Sequence, residues 1–153
     1  IRRQRQMCKE TASILFFSQC KKYPEGPSFS LRTKTERISN TWKLNQLIVN
    51  NVDSTAQYSN ILKDYTVIIN KSGSYSISYY VALPPFGNFT NTENGNWSFS
   101  SNKKEINLTP VSITLGTLPA ENSWQILKLY EKELWLKDID NKGKITELHL
   151  LPK

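Results

Sequence analysis

From residue 38 onward the chain alternates hydrophobic and polar residues with a period of two. Tyr75, Ile77, Tyr79, Val81 and Leu83 share one face, while the opposite face begins with Ser76 and Ser78. That alternation is the mark of a strand with one buried face. Shorter runs of the same kind predict strands over 41–49, 61–70, 96–101, 105–109 with 111–115, 124–131, 133–138 and 144–151. The breaks carry turn chemistry, as in Asn50-Asn51-Val52-Asp53, Lys71-Ser72-Gly73, Pro84-Pro85-Phe86-Gly87 and Asp140-Asn141-Lys142-Gly143. About eight short strands at roughly ten-residue spacing predict an all-β antiparallel meander, either barrel or sandwich. Only 57–63 lacks a clear period and admits a helical turn.

Composition supports a core made by packing alone. The 153 residues are 38% hydrophobic and include 17 aromatics, enough for one domain without disulfide staples. The two cysteines, Cys8 and Cys20, precede every predicted strand and cannot cross-link the body.

The net charge of +7 first suggests a nucleic-acid partner, and its distribution removes that suggestion. Residues 1–37 hold nine Lys/Arg against three acids, whereas residues 38–153 hold eleven against ten. Phosphate binding needs basic side chains grouped on the folded body. Here the charge belongs to the tail, so no nucleic-acid partner is expected.

That tail reads as an address. Arg2, Arg3 and Arg5 precede an apolar stretch from Ala12 to Phe17, which runs into Ser18-Gln19-Cys20. A positive start, an apolar stretch and a processing site form a secretory signal, and a lipoprotein signal ends in the cysteine that becomes lipidated. The alternative is a basic tail with an incidental cysteine. Residues 21–37, with two prolines, a glycine and no hydrophobic period, predict an extended linker. A linker directly after Cys20 suits a lipid-anchored domain. The expected organisation is a signal segment over 1–20, a linker over 21–37 and a β domain over 38–153.

Several segments resemble small lipocalin-like lipoproteins of the Bacteroidota. Asn40-Thr41-Trp42-Lys43-Leu44 is similar to the Gly-x-Trp element that opens lipocalin barrels, with Asn40 in the glycine's place. Gly95-Asn96-Trp97-Ser98-Phe99 followed by Ile106-Asn107-Leu108 resembles a G-x-W-x-F … I-x-L stretch of that family. The closing segments 126–138 and 144–151, and the post-signal run from Cys20 to Pro27, are similar as well. The resemblance spans about residues 20–153. It implies an up-and-down barrel of about eight strands, with Trp42 packed across one end and Cys20 as the lipidated residue. It also implies a place in the cell envelope, at the outer membrane, with the membrane as partner through the lipid.

Candidate chemistry is sparse. His149 is the one histidine, and no pattern brings a nucleophile to it; on a terminal strand it is expected to be an exposed or edge side chain. Asp138-Ile139-Asp140-Asn141-Lys142-Gly143 has the acids and glycine of a calcium loop's start. However, Lys142 stands where an oxygen ligand belongs and His149 where the bidentate glutamate belongs, so a polar hairpin turn is expected. No metal or cofactor is expected, and the chain reads as a binder, not an enzyme. The aromatics either fill the barrel or border a cavity, since an eight-stranded barrel can do either. If a cavity is present, Trp42, Leu44, Tyr75, Ile77, Tyr79, Trp97 and Phe99 are the expected lining for a small apolar or amphipathic ligand. If not, a filled barrel would serve as a structural or protein-binding envelope component.

Overall fold

The computed structural model describes residues 31–62, 64–82 and 84–153. Nine strands follow one another along these residues: β1 (Thr41–Val49), β2 (Val52–Asp53), β3 (Thr66–Ile69), β4 (Ser74–Ala82), β5 (Asn88–Phe99), β6 (Glu105–Ile113), β7 (Asn122–Leu129), β8 (Leu134–Ile139) and β9 (Ile145–Pro152). Every pairing is antiparallel. Sequential strands are neighbours from β3 to β9, β1 pairs with β3, and β1 also pairs with β9 from Trp42↔Pro152 to Val49↔Thr146. The β1–β9 ladder closes an eight-stranded up-and-down barrel, and β2 is a short extra strand on β1. The architecture is lipocalin-like. Closure gives each of the eight strands a partner on both sides over at least part of its length.

Two short helices accompany the barrel, α1 (Lys34–Ile38) and α2 (Ser59–Leu62). α1 takes the last part of the segment expected to be extended linker, and its cause is local. Thr33 caps the helix: its Oγ1 accepts from Glu36 N at 3.2 Å, and Glu36 Oε2 accepts from Thr33 N at 2.8 Å. This reciprocal capping box satisfies two otherwise orphaned amides. Arg37 and Ile38, at the helix's end, are buried. The helical turn α2 occupies part of the stretch expected as a strand over 61–70, so β3 is only four residues long.

α1 lies across one end of the barrel. Arg32 reaches Glu131 in the β7–β8 turn at 3.2 Å, and Lys71 in the β3–β4 turn reaches Glu36 at 3.8 Å. These two hairpin turns belong to the same end, so the helix bridges it. Beneath it, Trp42 is completely buried and its indole Nε1 donates to Ile38 O at 2.8 Å. Ile38, Leu129, Leu134 and Leu150 are likewise fully buried, and all belong to this end by strand position. Trp42 therefore packs across one end of the barrel, as the Gly-x-Trp resemblance implies.

The strand boundaries differ from expectation in two instructive places. β5 begins at Asn88, eight residues before the expected start, although Asn88-Phe89-Thr90-Asn91-Thr92-Glu93-Asn94-Gly95 is nearly all polar. Its register against β4 is unbroken from Ala82↔Asn88 to Ser74↔Asn96, so the hairpin partner supplies the order that hydrophobic alternation does not. β6 continues through Pro110, where a break was expected. It pairs with β7 only from Glu105 to Leu108. Beyond that point the β7-facing side has no ladder to disrupt, which is where a residue lacking N–H is tolerated. Opposite Pro110 sits Gly95, at a shift in the β5–β6 register. A Cβ on Gly95 would run into Thr109 O, Tyr75 Cε1 and Pro110 Cα, so the close approach requires glycine there.

Candidate functional site

The interior beyond the packed end is not filled. A cavity of about 190 Å³ is walled by Tyr65, Val67, Ile69, Ile77, Tyr79, Glu93, Ile106, Leu108, Asn122, Trp124, Leu136 and Leu148. β3, β4, β6, β8 and β9 contribute aliphatic side chains at alternate positions, as the pleat dictates. Asn122 is exposed, half-buried Trp124 follows two residues later, and both lie where the β6–β7 ladder ends. The cavity therefore meets the surface beside that short ladder.

A polar group is set into this apolar wall. Tyr75 Oη donates to Glu93 Oε1 at 2.5 Å. The rings of Tyr65 and Tyr79 stack with centroids 6.2 Å apart and planes at 24°. Buried Asn91, two residues before Glu93 on the same face of β5, holds the arrangement in place. Its Nδ2 donates to Tyr79 Oη at 2.8 Å and to Leu115 O at 3.3 Å, and its Oδ1 accepts from Leu115 N at 2.9 Å. Asn91 thus ties the segment after β6 to the tyrosine at the cavity wall. Burial pushes the Tyr65 phenol well above its ordinary value of 10, and the negative charge of Glu93 adds to the effect. Tyr75 is raised as well, by burial first, then by its hydrogen bond to Glu93 and that residue's charge. Both phenols stay protonated as donors at neutral pH.

Of the seven residues expected around a ligand, Ile77 and Tyr79 line the cavity. The other five lie elsewhere in the interior. Trp42, Tyr75 and Trp97 are buried in the core, and Leu44 and Phe99 pack against it. Trp97 is held near the packed end, with Nε1 donating to Asn70 O at 2.8 Å and its ring edge-on to Phe99 at 5.3 Å. Tyr75 contributes indirectly, through Glu93. Trp42, Trp97 and Phe99 pack toward the end that α1 covers, whereas Tyr65, Tyr79 and Trp124 stand among aliphatic side chains around the space.

Sequence reasoning missed Tyr65, Glu93 and Trp124. Glu93 had a signal: it stands four residues before Trp97 and so on the same strand face, but only once the strand is extended back through the polar run. Tyr65 precedes a strand that was placed too early. Trp124 is one of the aromatics that the sequence leaves as either packing or cavity wall, and it is the third residue of β7.

His149 is not an edge residue as expected. β9 is paired on both sides, with β8 and β1, because the barrel is closed. Its ring stacks flat on Trp135, with centroids 4.0 Å apart and planes at 5°, and Nε2 lies 3.7 Å from Glu147 Oε2. Lys128 Nζ sits 4.2 Å from the Trp135 ring centre and 2.6 Å from Glu133 Oε2. Lys128, Trp135 and His149 are cross-strand neighbours by register, and none of the three lines the cavity. Burial lowers the His149 pKa, partly opposed by Glu147.

The Asp138–Gly143 stretch is a hairpin turn. Asp140 Oδ1 accepts from Lys142 N at 2.8 Å and Lys144 N at 2.9 Å, which occupies the oxygen that a calcium loop would need. Among the described residues no group of three or more His, Cys, Asp or Glu could hold a metal. Cys20, Cys8 and the expected signal segment lie outside the described residues, as does the linker up to residue 30. No helix among the described residues is long and apolar enough to cross a membrane. No protein-family model matches the chain, and no curated protein matches it either.

Proposed function

We propose that the chain is a lipocalin-like binding module of the bacterial envelope, lipidated at Cys20 and held at the outer membrane, with a small amphipathic molecule in its barrel. The observation that carries this reading is the cavity, apolar over most of its wall and polar at Glu93, Tyr65 and Tyr79. Such a mixture of apolar contact and a few placed polar groups is the common character of ligand sites. The lipid anchor rests on the Cys20 context and on the resemblance to Bacteroidota lipoproteins, and it makes a membrane the first partner. The basic residues Lys21 and Lys22 would add attraction to anionic headgroups. Binding without catalysis accords with His149 stacked on Trp135, away from the cavity.

A second reading is favoured by size. Drug-sized pockets begin at about 300 Å³, and this one holds about 190 Å³. A barrel with only residual space would act as a structural or protein-binding envelope component. Native mass spectrometry of the protein isolated from its source cells separates the two. A mass carrying acyl groups and a further small molecule that leaves on activation supports the binding module. A lipidated chain with no additional mass favours the second reading, and an unmodified Cys20 removes the anchor from both.

A further inference from the structure

The charge of the cavity wall selects among ligands more sharply than its size. Among the described residues that border the space, Glu93 is the one carboxylate, and none is a lysine, arginine or histidine. Glu93 Oε1 receives the Tyr75 hydroxyl, and no lysine or arginine forms an ion pair with Glu93 among the described residues. With no cationic partner among the described residues, a carboxylate in this apolar wall has lost part of its hydration and gained one neutral donor in return. An incoming cation restores what was lost. An incoming carboxylate, such as the head of a fatty acid, would meet like charge in a region of low dielectric.

The neighbours of Glu93 fit the same ligand. Tyr65, Tyr79 and Trp124 present three electron-rich rings to the space, and ring faces attract ammonium groups. The stacked pair Tyr65–Tyr79 is held by Asn91, so this side of the wall is set before a ligand arrives. The volume is the third constraint. A dry engineered cavity of about 150 Å³ takes benzene, so about 190 Å³ admits one ring with a short chain.

We propose that the barrel cavity takes a small organic monocation, an arylalkylamine in size, whose ammonium pairs with Glu93 beside Tyr65, Tyr79 and Trp124. The inference rests on the reading of the barrel as a ligand-binding module and names the class of ligand.

Three probes of nearly equal shape test it: phenethylamine, ethylbenzene and phenylacetate, titrated into the folded protein and followed by calorimetry. The expected order is phenethylamine about tenfold tighter than ethylbenzene, the ratio one favourable charge contact gives, with phenylacetate weakest. In Glu93→Gln, which still accepts from Tyr75, the amine's advantage shrinks to within about twofold. Ethylbenzene binding as tightly as phenethylamine, or phenylacetate binding best, overturns the cation inference and leaves the binding module standing. Binding of none of the three by the wild type overturns both. An amine preference that survives Glu93→Gln overturns the assignment to Glu93. If that variant does not fold, the order of the three probes on the wild type still decides.

Discussion

The two ends of this barrel are built from the same alternating strands and reach opposite outcomes. At the end under α1, Trp42, Leu129, Leu134 and Leu150 leave no exposed surface, and Ile38 arrives from outside the sheet to complete them. Toward the other end, Tyr65, Glu93, Asn122 and Trp124 border open space. Alternation puts side chains into a barrel but does not decide whether they fill it. An eight-stranded barrel can be filled by side chains or keep room for one small molecule, and at the packed end an outside element completes the filling. Here the plug is a five-residue helix fixed by a capping box, by Ile38 and by the Trp42–Ile38 hydrogen bond.

The largest test of this contrast compares two tryptophans. Trp42→Ala removes a fully buried ring and its hydrogen bond, and denaturant unfolding should show a loss of roughly 3–5 kcal/mol. Trp124→Ala enlarges a space that already exists and meets the surface, so its loss should be clearly smaller. Equal losses would mean that the two ends are packed alike.

Overpacking gives the next effect, with opposite outcomes at the two ends. Leu134→Phe adds volume where none is free and should cost about 1–3 kcal/mol. Ile77→Phe directs its extra atoms into the cavity and should leave the unfolding midpoint nearly unchanged while abolishing probe binding. A destabilised Ile77→Phe protein would show that the space is not available to side chains.

The plug itself can be loosened without touching the core. Thr33→Ala deletes the cap and should cost about 1 kcal/mol. Its mark would be faster amide exchange at Arg37 and Ser39, whose N–H groups donate to Thr33 O and Thr35 O, with little change in β4 and β5. Uniform loss of protection would mean that α1 and the barrel unfold as one unit.

The smallest effect belongs to the outer wall. Burial holds the His149 pKa below its ordinary 6.5, against the raising influence of Glu147 and Asp53 and with Lys128 acting in the same direction as burial. The folded state therefore binds this proton more weakly than the unfolded chain. The stabilising difference is complete above pH 6.5 and declines as pH falls through the lowered folded value. His149→Phe, which keeps a flat ring on Trp135, should flatten the melting temperature between pH 7 and pH 5 relative to wild type. An unchanged slope would show that other groups carry it.

Much of the architecture was open to reading because a strand's alternation is local. Tyr75, Ile77 and Tyr79 face inward together for the same reason that they alternate with serines, and Trp42 marks the start of β1 by its short surrounding pattern. The site was far less legible. Glu93 lies in a run whose own residues favour no strand, and it faces inward because β4 pairs with β5 without a break from Ala82↔Asn88 to Ser74↔Asn96. Pro110 looks like a strand end and is not one, because whether a missing N–H matters depends on which neighbour stands beside it.

Taken alone, the order of residues determined which stretches extend and which side chains share a face, because both follow from the geometry of a single strand. It also determined that six of the seven excess positive charges lie in the N-terminal 37 residues. Only the tertiary structure decided that β1 meets β9, that Ile38 seals one end, and that Tyr65, Tyr79, Glu93 and Trp124 converge on a space at the other. Those residues are as many as 59 positions apart in the chain. Nothing local relates them; barrel closure and strand register do.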